Sequence, residues 1–302
     1  MAGIDANALR ARADFSAART KAVFRDLLAL FSGRRNELLA YDAVREKLRV
    51  GGPIYRGVHS VRLDQIIGSV NRYRDFDRAF LPTQGHTADR WQRVSRAWYD
   101  DVSLPPVLLY KVGDIYFVVD GNHRVSVARD QGQEYIDAEV RECQVKVPVT
   151  LDLQPDDLEF LGAKVEFLER SELDRLRPQA DITATILGGY ERMLEHIAVH
   201  RYFMGLDFKR DVSESEAVQH WYDTVYQPVM QVVANSGIMA AFPTRTEADF
   251  YLWVMDHRHY LVSQGKADLV EPGRAAEEFV QQYLAGKTQP PGLIAPDRLP
   301  SE

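Results

Sequence analysis

The chain has 302 residues, of which 45% are apolar and 27% charged, with a formal net charge of −7. This suits one large or two ordinary soluble domains, and no apolar run reaches the roughly 18 residues that a membrane span needs. The N-terminal stretch MAGIDANALRARADF lacks the apolar core of a secretory signal, and a single cysteine, Cys143, excludes an internal disulfide framework. The expectation is a cytoplasmic protein with no membrane partner. The net charge hides an asymmetry, because residues 1–150 hold 23 Lys/Arg against 19 Asp/Glu and residues 151–302 hold 14 against 25. Either the basic half meets a phosphate-bearing partner while the acidic half repels a polyanion, or the two halves neutralise each other across an interface.

In chain order, residues 6–49 read as helical. Phe15, Ala18 and Ala22, then Leu27, Leu28 and Phe31, fall near helical spacing, and Gly51-Gly52-Pro53 ends the segment. VRLDQIIGSV reads as a strand followed by a turn of helix. NRYRDFDRAFL and TADRWQRVSRAWYDDV read as exposed helices anchored by Phe76, Phe80, Trp91, Val94 and Trp98. PPVLLYKV and IYFVVDG are β-rich runs around Gly113-Asp114, a good hairpin turn. HRVSVARDQG then reads as a short helix closed by Gly132, and YIDAEVRECQVKVPV as a further strand. Two short helices, PDDLEFLGA and SELDRLRPQ, lead into a helical region at 182–285 and a Pro-rich tail expected to be disordered. Within the helical region HRYFMGLDFKRDVSESEAVQHWYDTVY resembles HRHYLVSQGKADLVEPGRAAEEFVQQY at an offset of 57 residues, which predicts a duplicated helical hairpin.

The chemistry-bearing stretch is Asp120-Gly121-Asn122-His123-Arg124. An apolar strand delivers Asp120 to its C-terminal end, and Gly121 permits a tight turn and close backbone approach. The residues that follow open a helix, whose free N–H groups and positive dipole end attract an anion. His123 and Arg124 add cationic donors, and Arg124 suits a forked contact with phosphate. Asp120 stands where a Mg²⁺ ligand or a base is needed.

The segment LPPVLLYKVGDIYFVVDGNHRVSVARDQGQEYIDAEV resembles the ParB N-terminal/sulfiredoxin-like superfamily, and LDQIIGSVNRYRDFDRAF loosely resembles that family's opening, with Arg72 or Arg74 as its arginine. The resemblance covers about residues 58–147. It implies an α+β fold with a small mixed sheet, and nucleotide phosphates (ATP or CTP, with Mg²⁺) held by Gly121, Asn122, His123 and Arg124, with Arg72 or Arg74 closing over them. It also implies Asp120 and His123 as catalytic candidates for phosphoryl transfer or nucleotide hydrolysis. Asn122 replaces the cysteine of sulfiredoxins, which argues against sulfinic-acid repair. Asn122-His123 replace the Glu-Arg of chromosome-partitioning members, and no helix-turn-helix follows. The alternatives are a non-catalytic, DNA-associated or ligand-sensing regulator, whose helical domain takes a protein partner, and a nuclease, which needs a second acid near Asp120. FPTRTEADFYLWVMDHRHYL resembles an uncharacterised bacterial domain with no assigned role.

The expected organisation is a helical segment at 1–53, the ParB/sulfiredoxin-like domain at 54–150, a helical domain at 151–285 and a tail at 286–302, with the oligomeric state open. His196 and His200 share a helix face, but neither they nor His257 and His259 have a zinc-site order, and packing is the expected role. NRYRDFDRAF and the run Arg90, Arg93 and Arg96 could touch nucleic acid, but with Asp75, Asp77 and Asp89 interleaved they read as solvated ion-paired faces.

Overall fold

The computed structural model describes residues 5–32, 36–263 and 271–286. It divides into two compact units, Met1–Gly162 and Ala163–Glu302, so the first 53 residues belong with the sheet domain that follows them. The expected disordered tail lies outside the described residues. Among the described residues no helix is long and apolar enough to cross a membrane.

The first unit is mixed α+β. Its elements are α1 (Ala6–Ser32), β1 (Leu39–Ala40), α2 (Tyr41–Lys47), β2 (Pro53–Arg62), β3 (Ile66–Ser69), α3 (Ala88–Tyr99), β4 (Val107–Val112), β5 (Ile115–Asp120), α4 (Asn122–Asp130) and β6 (Tyr135–Cys143). The six strands lie in the order β1-β3-β5-β4-β6-β2. β3 and β5 are parallel and β4 and β5 form the antiparallel hairpin, turned at Gly113, whose φ of +57° suits glycine. β5 thus sits inside the sheet, buried through Ile115, Phe117 and Val118, and its C-terminal end carries Asp120 into the turn to α4.

Three expectations for this unit are corrected. The second part of the N-terminal segment is not all helix, because Leu39–Ala40 pairs in parallel with β3. VRLDQIIGSV holds the end of β2, a 3-10 turn at Leu63–Gln65 and then β3. NRYRDFDRAFL forms no helix. The buried Asp77 carboxylate accepts the backbone N–H groups of Ala79 (2.9 Å) and Leu81 (2.8 Å), Phe76 bridges to Pro82, and Phe80 takes φ +60°. An Asp that bonds its own neighbours ahead of a proline competes successfully with a helix here. Phe76 and Phe80 are buried core residues, while Trp98 is exposed.

The core joins the sheet to α1, α3 and α4. Phe15 of α1 packs on Trp91 of α3 at 5.6 Å between ring centres, and the Trp91 indole N–H donates to Ser126 of α4 at 2.8 Å. Phe15, Ala18 and Ala22 are buried as their spacing suggests, but Leu27, Leu28 and Phe31 are exposed. Helix α1 has 27 residues and α3 has 12, so α1 outruns the helix it packs on.

α5 (Asp157–Ser171) carries the chain across the division and is one long helix where a shorter one was expected. The second unit continues with α6 (Leu173–Leu176), α7 (Gly189–Phe208), α8 (Glu214–Trp221), α9 (Gln227–Ser236), α10 (Glu247–Ser263) and α11 (Pro272–Leu284). A π-helical turn at Tyr222–Tyr226 joins α8 to α9. Trp221, Tyr226 and Tyr251 form an aromatic knot, with ring centres 5.1–5.6 Å apart and the Trp221 indole N–H donating to the Tyr251 hydroxyl at 2.9 Å. The segments related by 57 residues fall on α7–α8 and α10–α11. In each, the histidine of the first helix meets the second: His200 meets His220, and His257 meets Glu278 and Phe279.

Candidate functional site

The β5–α4 turn forms one wall of a cleft of about 480 Å³ in the first unit. Gly121 takes φ +106°, and a Cβ there would lie 2.5 Å from Val107 Cγ1, so no other residue fits without displacing β4. Gly121 is also the N-cap of α4 and offers no side-chain cap. The first helical bond runs from the Val125 N–H to the Gly121 carbonyl at 3.0 Å. The amides of Asn122, His123 and Arg124 therefore lie ahead of the helix's own hydrogen-bond ladder, at its positive end.

Asn122 and His123 are only 6% and 5% exposed, and both line the cleft. Asn122 Oδ1 and His123 Nδ1 are sealed from solvent without a hydrogen-bond partner. Asn122 Nδ2 and His123 Nε2 are not sealed in this way, and neither has a hydrogen-bond partner among the described residues. The His123 ring rests edge-on against Phe76 at 5.3 Å. Burial, with Arg90 and Arg72 nearby, pushes its pKa down to about 4, partly opposed by Asp75. At neutral pH His123 is an uncharged imidazole, able to donate one hydrogen bond into the cleft but adding no positive charge. The sequence expectation of a cationic His123 is corrected by that burial.

Arg124 is also placed differently from the expectation. Its Nη1 donates to the carbonyls of Pro105 and Pro106 (2.9 Å for the latter), and its Nη2 pairs with Asp120 at 2.5 Å. The side chain is 14% exposed. The guanidinium is spent on tying the turn to the segment before β4, so Arg124 acts as a positioning residue. Asp120 is 61% exposed and is the only carboxylate among the residues lining the cleft. Among the described residues no group of three or more His, Cys, Asp or Glu is arranged to hold a metal ion. A single carboxylate suits Mg²⁺ only when phosphate oxygens and water fill the other positions, and here it must first leave Arg124.

The opposite wall supplies the charge. Arg72 lines the cleft and is held by Asp75 at 2.8 Å, which His86 approaches at 3.3 Å. Arg74 lies instead beside the Tyr73 ring, 5.6 Å from its centre, and is not among the cleft residues. Arg90 of α3 lines the cleft, is exposed, and makes no hydrogen bond or ion pair among the described residues. The ion-paired reading holds for Arg96, which pairs with Asp5 (2.6 Å) and Asp100 (3.3 Å), but not for Arg90. Only the absence of a partner marks Arg90, and that is a tertiary fact. Asn71 joins the same wall.

Arg129, at the far end of α4, holds the support in place. Its guanidinium donates to the carbonyls of Leu63, Ile66 (2.7 Å) and Arg78 (3.3 Å) and lies over the Phe80 ring at 5.0 Å. It thereby pins the loop whose Phe76 backs His123.

His196, His200 and His220 of the second unit are used within the protein. His196 meets the Tyr251 hydroxyl at 3.1 Å, and His200 Nε2 meets His220 Nδ1 at 2.8 Å. Burial drives the pKa of both His196 and His200 down to about 4. Residues 190–284 match a family described as a domain of unknown function (DUF4032). The match runs along α7 to α11 and leaves the first unit outside it. No curated protein matches the chain.

Proposed function

We propose that the first unit is a nucleotide-binding module of the ParB/sulfiredoxin-like kind, which holds ATP or CTP by its phosphates in the cleft at the β5–α4 turn. The observation that carries this reading is the convergence of donors on one cleft: the α4 N-terminal amides with Asn122 and His123, Arg90, which has no partner among the described residues, and Arg72, which Asp75 holds. Two arginines facing a helix N-terminus suit an anion with several oxygens. A volume of about 480 Å³ falls in the range of small-molecule sites. The nucleotide itself comes from the resemblance of residues 58–147 to that superfamily.

Binding is better supported than turnover. Asp120 is the one acid on the cleft and is held by Arg124, and the neutral His123 suits hydrogen-bond donation to a phosphate oxygen. Phosphoryl transfer or hydrolysis needs Asp120 released to Mg²⁺ or to an attacking hydroxyl. A nuclease role needs a second acid, which the cleft lining does not include.

A thermal-shift screen of ATP, ADP, CTP and GTP, with and without Mg²⁺, tests the reading. A nucleotide at 100 times its dissociation constant stabilises by about 2.7 kcal/mol. The expected result is a shift by at least one nucleotide that shrinks in Arg72→Ala and Arg90→Ala. No shift by any of the four, or an equal shift in both variants, rejects it.

A further inference from the structure

The second unit contains a cleft of its own, of about 790 Å³. Residues 163–302 hold 14 Lys/Arg against 21 Asp/Glu, yet four of those cations, Arg170, Arg201, Lys209 and Arg210, line this one cleft. Asp211 and Glu214 are the acids beside them. The four cations are not equally free. Arg210 is held by Glu216 through both terminal nitrogens, and Arg170 lies 3.8 Å from Glu166. Arg201 spends only Nε, on the Val212 carbonyl at 2.7 Å. Lys209 makes no hydrogen bond or ion pair among the described residues. Arg201, within α7, and Lys209, the residue that follows its last turn, are thus the available charges.

Most of the other lining residues are apolar, Ser171 being the exception. Leu194, Ile197 and Val218 form its floor, and Tyr202 (64% exposed) and Leu206 (56% exposed) stand on its wall. Between them lies Gly205, in the interior of α7, where glycine costs about 1 kcal/mol relative to alanine. The protein around it does not require glycine: an added Cβ would meet only the Arg210 carbonyl, at 3.5 Å, an ordinary contact. What the missing side chain leaves is open space in the cleft.

We propose that this cleft binds an amphiphilic anion, an apolar chain with a phosphate or carboxylate head. The chain lies along Ile197, Tyr202 and Leu206 over Gly205, and the head meets Arg201 and Lys209. The volume falls within the 300–1,000 Å³ typical of small-molecule sites. The proposal is independent of the nucleotide reading, since it rests on other residues and another ligand.

The test is titration calorimetry of the full chain with n-decyl phosphate below its micellar concentration. The expected result is one saturable site, weakened about tenfold or more by Arg201→Gln with Lys209→Gln, with inorganic phosphate and n-decanol each binding about tenfold or more weakly. Gly205→Leu fills the cleft and is expected to weaken binding similarly while the melting temperature stays level or rises, which separates blockage from misfolding. Wild-type affinity in Gly205→Leu overturns the proposal. So does equal binding of n-decanol, which shows apolar adsorption alone, or of inorganic phosphate, which shows an anion site without a chain. Loss of binding in Arg90→Ala, which leaves this cleft untouched, also overturns it.

Discussion

The two units use the same kinds of side chain in opposite ways. In the first, the side chains of Asn122, His123 and Arg90 border a cleft and make no hydrogen bond among the described residues. In the second, His196, His200, Trp221 and Tyr251 are just as conspicuous in the sequence, and each meets another side chain at 2.8–3.1 Å. Buried polar groups are ordinarily satisfied, and those of the second unit's aromatic knot are, whereas Asn122 and His123 combine missing partners with a place on a cleft lining. It is that combination, rather than residue type or an unpaired atom alone, that distinguishes the candidate site from the polar core.

The sharpest way to break it on the packing side is Asp249→Ala. The buried Asp249 carboxylate accepts the N–H groups of Thr185 (2.8 Å), Ile186 (3.1 Å) and Thr246 (3.1 Å). Stranding three backbone donors is expected to cost about 3–5 kcal/mol, read by urea denaturation. A loss below about 1 kcal/mol contradicts the hub role.

Arg124→Ala is expected to come next, at about 2–3 kcal/mol, because the Pro105 and Pro106 carbonyls lose their donor and Asp120 its counter-charge. Its nucleotide affinity falls only through the displaced turn. If Arg124→Ala keeps full stability but loses all nucleotide binding, the guanidinium contacts phosphate directly and the positioning role assigned to it is wrong.

The pH dependence follows from His196. Its folded pKa, near 4, lies below the ordinary 6.5 because burial, then Arg192 and Arg258, disfavour the charged form. The unfolded chain binds the proton more readily, so the stabilisation is complete above about pH 6.5 and is lost as the pH falls towards 4. Between pH 7 and pH 5 this histidine is expected to remove about 2 kcal/mol, and His196→Gln makes that part of the profile shallower by that amount while His123 and His200 still contribute theirs. An unchanged profile in the variant places the titration elsewhere.

Arg90→Ala should have the smallest effect on stability, within about 0.5 kcal/mol, since Arg90 is exposed and has no partner among the described residues. A larger loss means that its side chain packs where the account has it free.

What was legible in the sequence was what local chemistry decides. Gly113-Asp114 between two β-rich runs specified the hairpin, and an apolar strand running into Asp120-Gly121 specified the strand-to-helix turn. The stretch at 71–81 misled because Phe76 and Phe80 stand four residues apart, as on a helix, while their burial follows from Asp77 bonding to Ala79 and Leu81. The roles of Arg124 and Arg90 were illegible for the same reason in opposite senses. Nothing local shows that two carbonyls 18 and 19 residues upstream occupy Arg124, or that no acid reaches Arg90. The neutral state of His123 likewise depends on Phe76 and the arginines that the fold gathers around it.

The most direct test of the central claim is titration calorimetry of the nucleotide that gives the largest thermal shift, into the wild type and into Arg90→Ala. Saturable 1:1 binding is expected, weakened about tenfold to a hundredfold in Arg90→Ala with the melting temperature unchanged. Equal affinity in the two proteins contradicts it, and places any nucleotide somewhere other than this cleft.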